Sequence, residues 1–502
     1  MDSKWIIPVA IGKGGKSGPS GKREWSYFLA QKLGTPAGFL FLFLICVGIG
    51  VGIAVYGLIF GILTLVVLLG VPIVYTLVAY PRIGITIFIS MAYLLMWIYR
   101  MGIPFPLGTV MDGMEVLFLL GLFIHLKRNR DLYMLKGQIT NLILVWMVYN
   151  IVEVANPFAA SRVAWVFTVR TVAVVMIMYF IFLYNIRTKE FIRFLLKLWL
   201  GFAFFAAAYC FKQEHFGFFP FEERYLHSDP NIAYLLFLGG TWRKFSIFSD
   251  PVVYAYTMAF SSLLCFCLMT GPFSKAKKWG LLLLACFYIM NMLYSGTRGA
   301  YVLIPAGMLL FCIIKYNKYI LIAASVFAVI MVVVIYIPTS NYTLFRFQSA
   351  FKPSEDASYK LRKFNQKRIQ PYIISHPLGG GLGSTGEWGE RFSPGTYLAH
   401  FAPDSGYIRV AVEMGSIGLF LILLLMYTIL KTGINNYYSI RDPELKTYCF
   451  AMVVIIFAFH IANFPQEALV QFPSNVNFYL VTSLIIVTKR IDNQQNKLAD
   501  GV

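Results

Sequence analysis

Long apolar runs, each close to the length needed to cross a bilayer, alternate with short basic links along nearly the whole chain. At about 20 residues per crossing, the runs predict helices near 37–54, 57–79, 83–101, 113–126, 139–156, 164–184, 195–211, 251–270, 279–295, 299–315, 319–338, 406–430, 447–464 and 474–488. The expected fold is an all-α polytopic membrane protein with about 12 to 14 transmembrane helices. One stretch breaks this rhythm. From Asn341 to Asp404 the chain is polar and cation-rich, and a long apolar helix follows at once. A connection of that length between two spans is uncommon unless it carries a function. Gly48 to Gly61 reads as a glycine-rich hairpin, and Ile232 to Gly240 is too short to cross and reads as re-entrant. The resulting division is a basic tail (1–36), membrane helices (37–338) with an outer segment (212–250), a large loop (339–405), C-terminal membrane helices (406–488) and a second tail (489–502).

Composition supports the membrane assignment: 58% of the 502 residues are hydrophobic, 13% are charged, and mean hydropathy is +0.68. A soluble chain could not bury that much apolar surface. The net charge of +20 changes meaning in this setting. It collects in the links assigned to one side, as expected for cytoplasmic loops, so it does not point to nucleic acid. Both termini are then cytoplasmic, and no secretory leader is expected. The large loop, the 212–250 segment and the Gly296–Ala300 turn share the outer face. The seven cysteines fall in or at the ends of apolar runs, which argues against disulfides and thiolate metal sites. No zinc or magnesium signature and no nucleotide fingerprint occurs, so no cofactor is expected. Internal repeats are missing, which weakens a transporter reading.

Four polar features remain. Arg298, in Ser295-Gly-Thr-Arg298-Gly-Ala300, lies between two apolar helices and is either an interfacial anchor or a fork for phosphate. Arg243 and Lys244 precede Asp250-Pro251, whose own pattern is that of a helix cap. Asp356 to Gln370 reads as an amphipathic helix, with Lys360, Lys363 and Lys367 on one side and Leu361, Phe364 and Arg368 on another. Arg362 and Arg368 are its candidate inward cations. Beyond it, Gly379-Gly380-Gly381-Leu-Gly383 would let the backbone approach a ligand or adopt positive φ. Asp404-Ser405 is either a helix cap or the place of a general base, with His400 as the alternative base.

Taken together these residues resemble the O-antigen ligase and polymerase superfamily of bacterial membrane glycosyltransferases. The similarity is carried by Thr297-Arg298-Gly-Ala, by Arg243 with Phe248-Ser-Asp250-Pro251, by His376-Pro-Leu-Gly-Gly-Gly381, and by Arg368 with ten residues between it and Gly379. It is carried also by Asp404-Ser405, nine residues, then Gly415-Ser-Ile-Gly418, where ligases have His-Asn at the start of the same spacing. The resemblance implies a GT-C-like inner-membrane enzyme with a large periplasmic loop. Such an enzyme transfers a glycan from undecaprenyl pyrophosphate to a sugar hydroxyl on a glycan or lipid-linked acceptor, with inversion and without metal. It further implies that Arg298 and one or both of Arg362 and Arg368 hold the pyrophosphate with Arg243 in support, that Gly380 and Gly381 border the substrate, and that Asp404 stands at the base position. Because the ligase His is replaced by Asp, polymerase is the expected role. Ligation onto lipid A core, protein O-glycosylation, and transport or flipping of a polyprenyl-linked glycan are the alternatives.

Overall fold

A computed structural model describes residues 35–102, 107–129, 133–340, 342–351 and 357–499. The N-terminal basic tail to Gly34, the end of the second tail and Asp356 lie outside the described residues. The fold is all-α. Ten helices among the described residues are long and apolar enough to cross a membrane, and the other predicted spans are helical as well.

The first unit, described over residues 35–74, contains α1 (Pro36–Tyr56) and most of α2 (Leu58–Ala79). Thr35 caps α1 by accepting from the Gly38 amide at 3.1 Å, and Pro36 occupies the first helical position. Gly57, at φ 72°, turns the chain between the two helices. Gly52 presses its backbone against the Phe60 ring, so the predicted hairpin is two helices closed on a small residue.

The second unit runs from Tyr75 to the end. Its helices are α3 (Pro81–Arg100), α4 (Leu107–Asn129), α5 (Gln138–Val152), α6 (Arg162–Val172), α7 (Ile177–Asn185) and α8 (Lys189–His215). Next come α9 (Pro220–Leu226), α10 (Pro230–Leu236), the two-residue strands β1 (Phe237–Leu238) and β2 (Thr241–Trp242), α11 (Pro251–Met269) and α12 (Lys275–Leu293). The remainder is α13 (Arg298–Tyr301), α14 (Leu303–Ile314), α15 (Lys318–Tyr336), α16 (Tyr342–Ser349), α17 (Ala357–Ser375), α18 (Gly386–Phe392), α19 (Gly406–Glu413), α20 (Gly415–Ser439), α21 (Pro443–Ala462) and α22 (Ser474–Ala499).

Helices α11 and α21, with the first half of α22, are heavily enclosed and form the centre. α11 starts where local chemistry dictates: Asp250 accepts from the Val252 and Val253 amides at 2.7 and 3.1 Å, and Pro251 follows. Around α11 and α21, Tyr254, Met258, Leu263, Phe450, Val454 and Phe459 are fully or nearly fully buried.

Two stretches gain detail and one expectation is corrected. Over residues 232–240, α10 gives way to an antiparallel hairpin turned by Gly239 and Gly240, both at positive φ. The large loop is mostly helical, holding α16, α17 and α18. The span predicted from 406 is interrupted, because Met414 ends α19 and Gly415, at φ 66°, begins α20. Its cause is a backbone-to-backbone approach between the loop and Gly415.

Candidate functional site

The Ser295–Arg298 turn is built before any side chain reaches outward. Gly296 is at φ 62°, Ser295 Oγ donates to the Met292 carbonyl, and the Thr297 amide donates back to Ser295 Oγ at 3.1 Å. Thr297 Oγ1 donates to the Pro251 carbonyl at 3.1 Å, fixing the turn to the start of α11. Arg243 then donates to the Ser295 carbonyl and to Thr297 Oγ1, both at 2.9 Å. Arg346, from α16, donates to the Gly296 carbonyl at 2.7 Å. Arg298 opens α13 on the same turn and acts on Arg243 as a like charge, as Arg346 does. Burial first, then these like charges, bring Arg243 down to about 10, with Asp250 pulling the other way. It therefore stays cationic at neutral pH.

The segment carrying Arg243 is itself constrained. Ser246 is a non-glycine residue at φ 54°, a conformation that persists only where surroundings hold it. Its amide donates to Gln213 Oε1, its hydroxyl donates to the Ala206 carbonyl, and its carbonyl accepts from Arg100. Lys244, named with Arg243 as an anion contact, is instead occupied by Glu214 at 3.1 Å and by the Trp242 carbonyl.

On the other side of the site, α17 turns one face inward. Ile369 is fully buried with Leu398, Phe401 and Val412, and Tyr372 and Ile373 pack against them. Arg362, one and a half to two turns earlier on that face, points to Asp404 at 3.8 Å. Between them, with Asn365, Gln366 and Ser405, is a cleft of about 10 Å³, room for one water-sized group. Arg368 is exposed, as are Leu361 and Phe364. The expected inward Arg368 is corrected because burial of Ile369 rotates its neighbour to the surface. His400 is also exposed and does not line the Asp404 cleft. Neither Asp404 nor Ser405 makes a side-chain cap on α19: Ser405 Oγ donates instead to the Asn463 carbonyl at 3.4 Å.

Tyr256 and Pro465 link the two halves. The Tyr256 hydroxyl and Pro465 ring lie 3.1 and 3.3 Å from where a Gly299 Cβ would stand, and Arg362 acts electrostatically on Tyr256. Arg243 and Arg346 thus hold the turn that Arg298 follows, and Arg362 is the arginine that acts on Tyr256 from the other side.

The glycine cluster serves packing within the protein. Gly380 and Gly381 donate amide hydrogen bonds, each 2.9 Å, to the Val412 and Glu413 carbonyls at the end of α19. A Cβ on Gly379 would meet the Glu413 backbone at 2.5 Å, and one on Gly415 would overlap the Pro377 carbonyl. Beside Gly380 are Leu398 and Tyr372, and beside Gly381 is Ala159. Gly380 and Gly381, expected at the substrate, thus touch α19 and the Asn156–Ser161 turn.

Behind this clamp is a buried charge network. Glu413 Oε1 accepts from Thr385 Oγ1 at 2.6 Å, and its Oε2 pairs with Arg409 at 3.3 Å. Arg409 also reaches Glu467 at 2.6 Å. Burial pushes Glu467 up, against the pull of Arg409, and Asp404 adds to the rise. Arg409 and Glu467 thus tie the glycine clamp to the Asp404 side. Two further membrane-depth charges have partners, Arg170 with Asp112 at 3.2 Å and Glu153 with Asn156 at 2.7 Å, whereas the buried Glu115 keeps Oε1 without a hydrogen bond among the described residues.

Arg346, Arg409, Glu467 and Tyr256 were not legible as site residues. A lone Arg within the apolar Leu344-Phe345-Arg346-Phe347 run, in an otherwise polar loop, was the one available signal.

Residues 280–423, which contain the Arg298 turn, α17, the glycine clamp and Asp404, match the family model described as O-antigen ligase. No curated protein matches the chain.

Proposed function

From a domain that supports membership of the O-antigen ligase and polymerase superfamily, whose substrates are lipid-linked glycans, we propose that this protein transfers a glycan from undecaprenyl pyrophosphate to a sugar hydroxyl at the periplasmic face of the bacterial inner membrane. In this reading both tails are cytoplasmic, and the segments at 212–250 and 339–405 form the periplasmic side.

The observation that carries the proposal is the pairing of Asp404 with Arg362 across a hydroxyl-sized cleft, on the side of the site that Tyr256 and Pro465 join to the Arg298 turn. Asp404 accepts the proton of the acceptor hydroxyl. The hydroxyl oxygen forms its bond to the anomeric carbon from the face opposite the leaving group, giving inversion. The bond from that carbon to the diphosphate oxygen breaks, and undecaprenyl diphosphate departs with the electron pair. Arg298, Arg346 and Arg362 meet the charge that grows on the diphosphate, the role a metal plays elsewhere. Arg243 positions the turn, since both of its described side-chain bonds go to Ser295 and Thr297. Asp404 is preferred to His400 as the base because it shares a cleft with a cation, whereas His400 faces outward.

Polymerase is the preferred role, since Asp404-Ser405 stands where ligases carry His-Asn. Ligation is the second reading, favoured by the match of residues 280–423 to the O-antigen ligase family. The test is incubation of purified protein with an undecaprenyl-pyrophosphate glycan alone, then with added acceptor. Lengthening of the glycan without acceptor is expected. Product formed only with a separate lipid A core or protein acceptor would move the assignment to ligase, and none under either condition would remove the transferase reading.

A further inference from the structure

At the opposite end of the bundle, the start of α5 and the ends of α20 and α22 enclose a second cleft of about 510 Å³. Thr432 and Asn436 on α20 place it roughly 25 to 30 Å along the helix from Gly415, at 1.5 Å per residue. It is therefore separate from the site described above. Its lining includes Lys136, Lys489, Arg490 and Lys497, and no Asp or Glu lines it among the described residues.

Two of these cations are built into the wall. Arg490 donates to the Leu183 carbonyl at 2.8 Å and to the Ile186 carbonyl, and its guanidinium lies 4.6 Å from the Tyr133 ring centre. Lys489 donates to the Ser439 carbonyl at 2.8 Å and pairs with Asp492 at 3.5 Å. Asp492 is buried and spends its other oxygen on the Arg441 and Asp442 amides, so it offsets Lys489 alone. Lys136 and Lys497 are exposed at the rim, and Gln138, Asn493 and Gln494 add amide groups. Basic residues that only set topology would need to face water on this side, with no reason to converge. Here they line one cavity at the membrane-boundary end of three packed helices, where an anion would be met by cations and amide donors together.

We propose that this cleft is a binding site for a phosphate-bearing anion, either the headgroup of an anionic phospholipid or a soluble phosphate ester. It does not depend on the transfer reaction assigned to the other end.

The test uses the full chain in zwitterionic nanodiscs. One arm doses in phosphatidylglycerol or cardiolipin and reads retained lipid by native mass spectrometry. The other adds inorganic pyrophosphate and reads binding by calorimetry. Lys136→Gln with Lys497→Gln removes the two rim charges, and Lys360→Gln with Lys367→Gln, exposed on α17, is the control. The rim pair should weaken the anion by about 10- to 30-fold, while the control pair changes it little. Loss in the lipid arm assigns a headgroup, and loss in the pyrophosphate arm assigns a soluble ester. Absence of binding in both arms, or equal losses in the rim and control pairs, overturns the site.

Discussion

The Asp404 carboxylate stands 3.8 Å from Arg362 Nε across a cleft no larger than one hydroxyl group. That separation leaves the carboxylate oriented without a close bidentate pair, so it can take a proton while the cation holds it in place. Asp404→Asn keeps the shape and removes the base. Because Asp404 does not cap α19, the variant should melt like the parent, with transfer slowed about 10²- to 10⁴-fold. A rate measurement on purified enzyme beside a melting curve checks this. Undiminished transfer would end the base assignment.

Arg298 opens α13 on a turn already secured by Ser295, Thr297, Arg243 and Arg346. Arg298→Ala should insert normally and lose transfer by about 10²- to 10³-fold, the scale of one lost stabilising donor. Arg298→Lys retains the charge but not the fork and should recover only part of it. Arg346→Ala differs in kind: it removes the bond to the Gly296 carbonyl, so both rate and melting temperature should fall. Equal melting losses for the Arg298 and Arg346 variants would argue that both are structural.

How far the sequence could be read follows from the range of each interaction. The Asp250-Pro251 cap was legible because cap and helix are neighbours in the chain. The spans were legible because bilayer length imposes a period on them. The inward face of α17 was not, since Leu361 and Phe364 look like a buried stripe until Leu398, Phe401 and Val412 select Ile369 instead. Nor was the break at Met414, because the apolar run crosses it unmarked and only the Pro377 carbonyl against Gly415 requires it. The Arg409–Glu467 pair joins residues 58 apart, a partnership no local pattern encodes.

The glycine clamp gives a prediction that separates packing from substrate contact. Gly415→Ala places a Cβ against the Pro377 carbonyl at positive φ, a strain of at least about 1–3 kcal/mol. It should lower the melting temperature and activity together, with no change in substrate affinity for the folded fraction. Gly395→Ala has open space around it and is the neutral control. A Gly415→Ala protein of parental stability with a raised KM would assign the glycine to the substrate.

Chelation addresses the role given to the arginines. With guanidinium groups meeting the diphosphate charge, turnover in excess EDTA should match turnover without it. The assay is glycan transfer by purified protein after exhaustive dialysis against EDTA. Activity lost to chelation and restored by Mg²⁺ would replace the arginine-only account of leaving-group stabilisation.

Arg409 provides the sharpest stability test. Glu413 is only 2% exposed and relies on Arg409 and Thr385 for compensation, and Glu467 shares the same guanidinium. Removing one member of a buried charge set leaves the others desolvated and unpaired, at about 3–5 kcal/mol. Arg409→Gln should therefore be strongly destabilising. The triple variant Glu413→Gln, Glu467→Gln, Arg409→Gln should be closer to the parent, because it strands no charge. The comparison of unfolding midpoints in one detergent reads the difference directly. If the triple variant is no more stable than Arg409→Gln alone, the network holds α19 to the loop through packing, and the electrostatic account of the clamp is wrong.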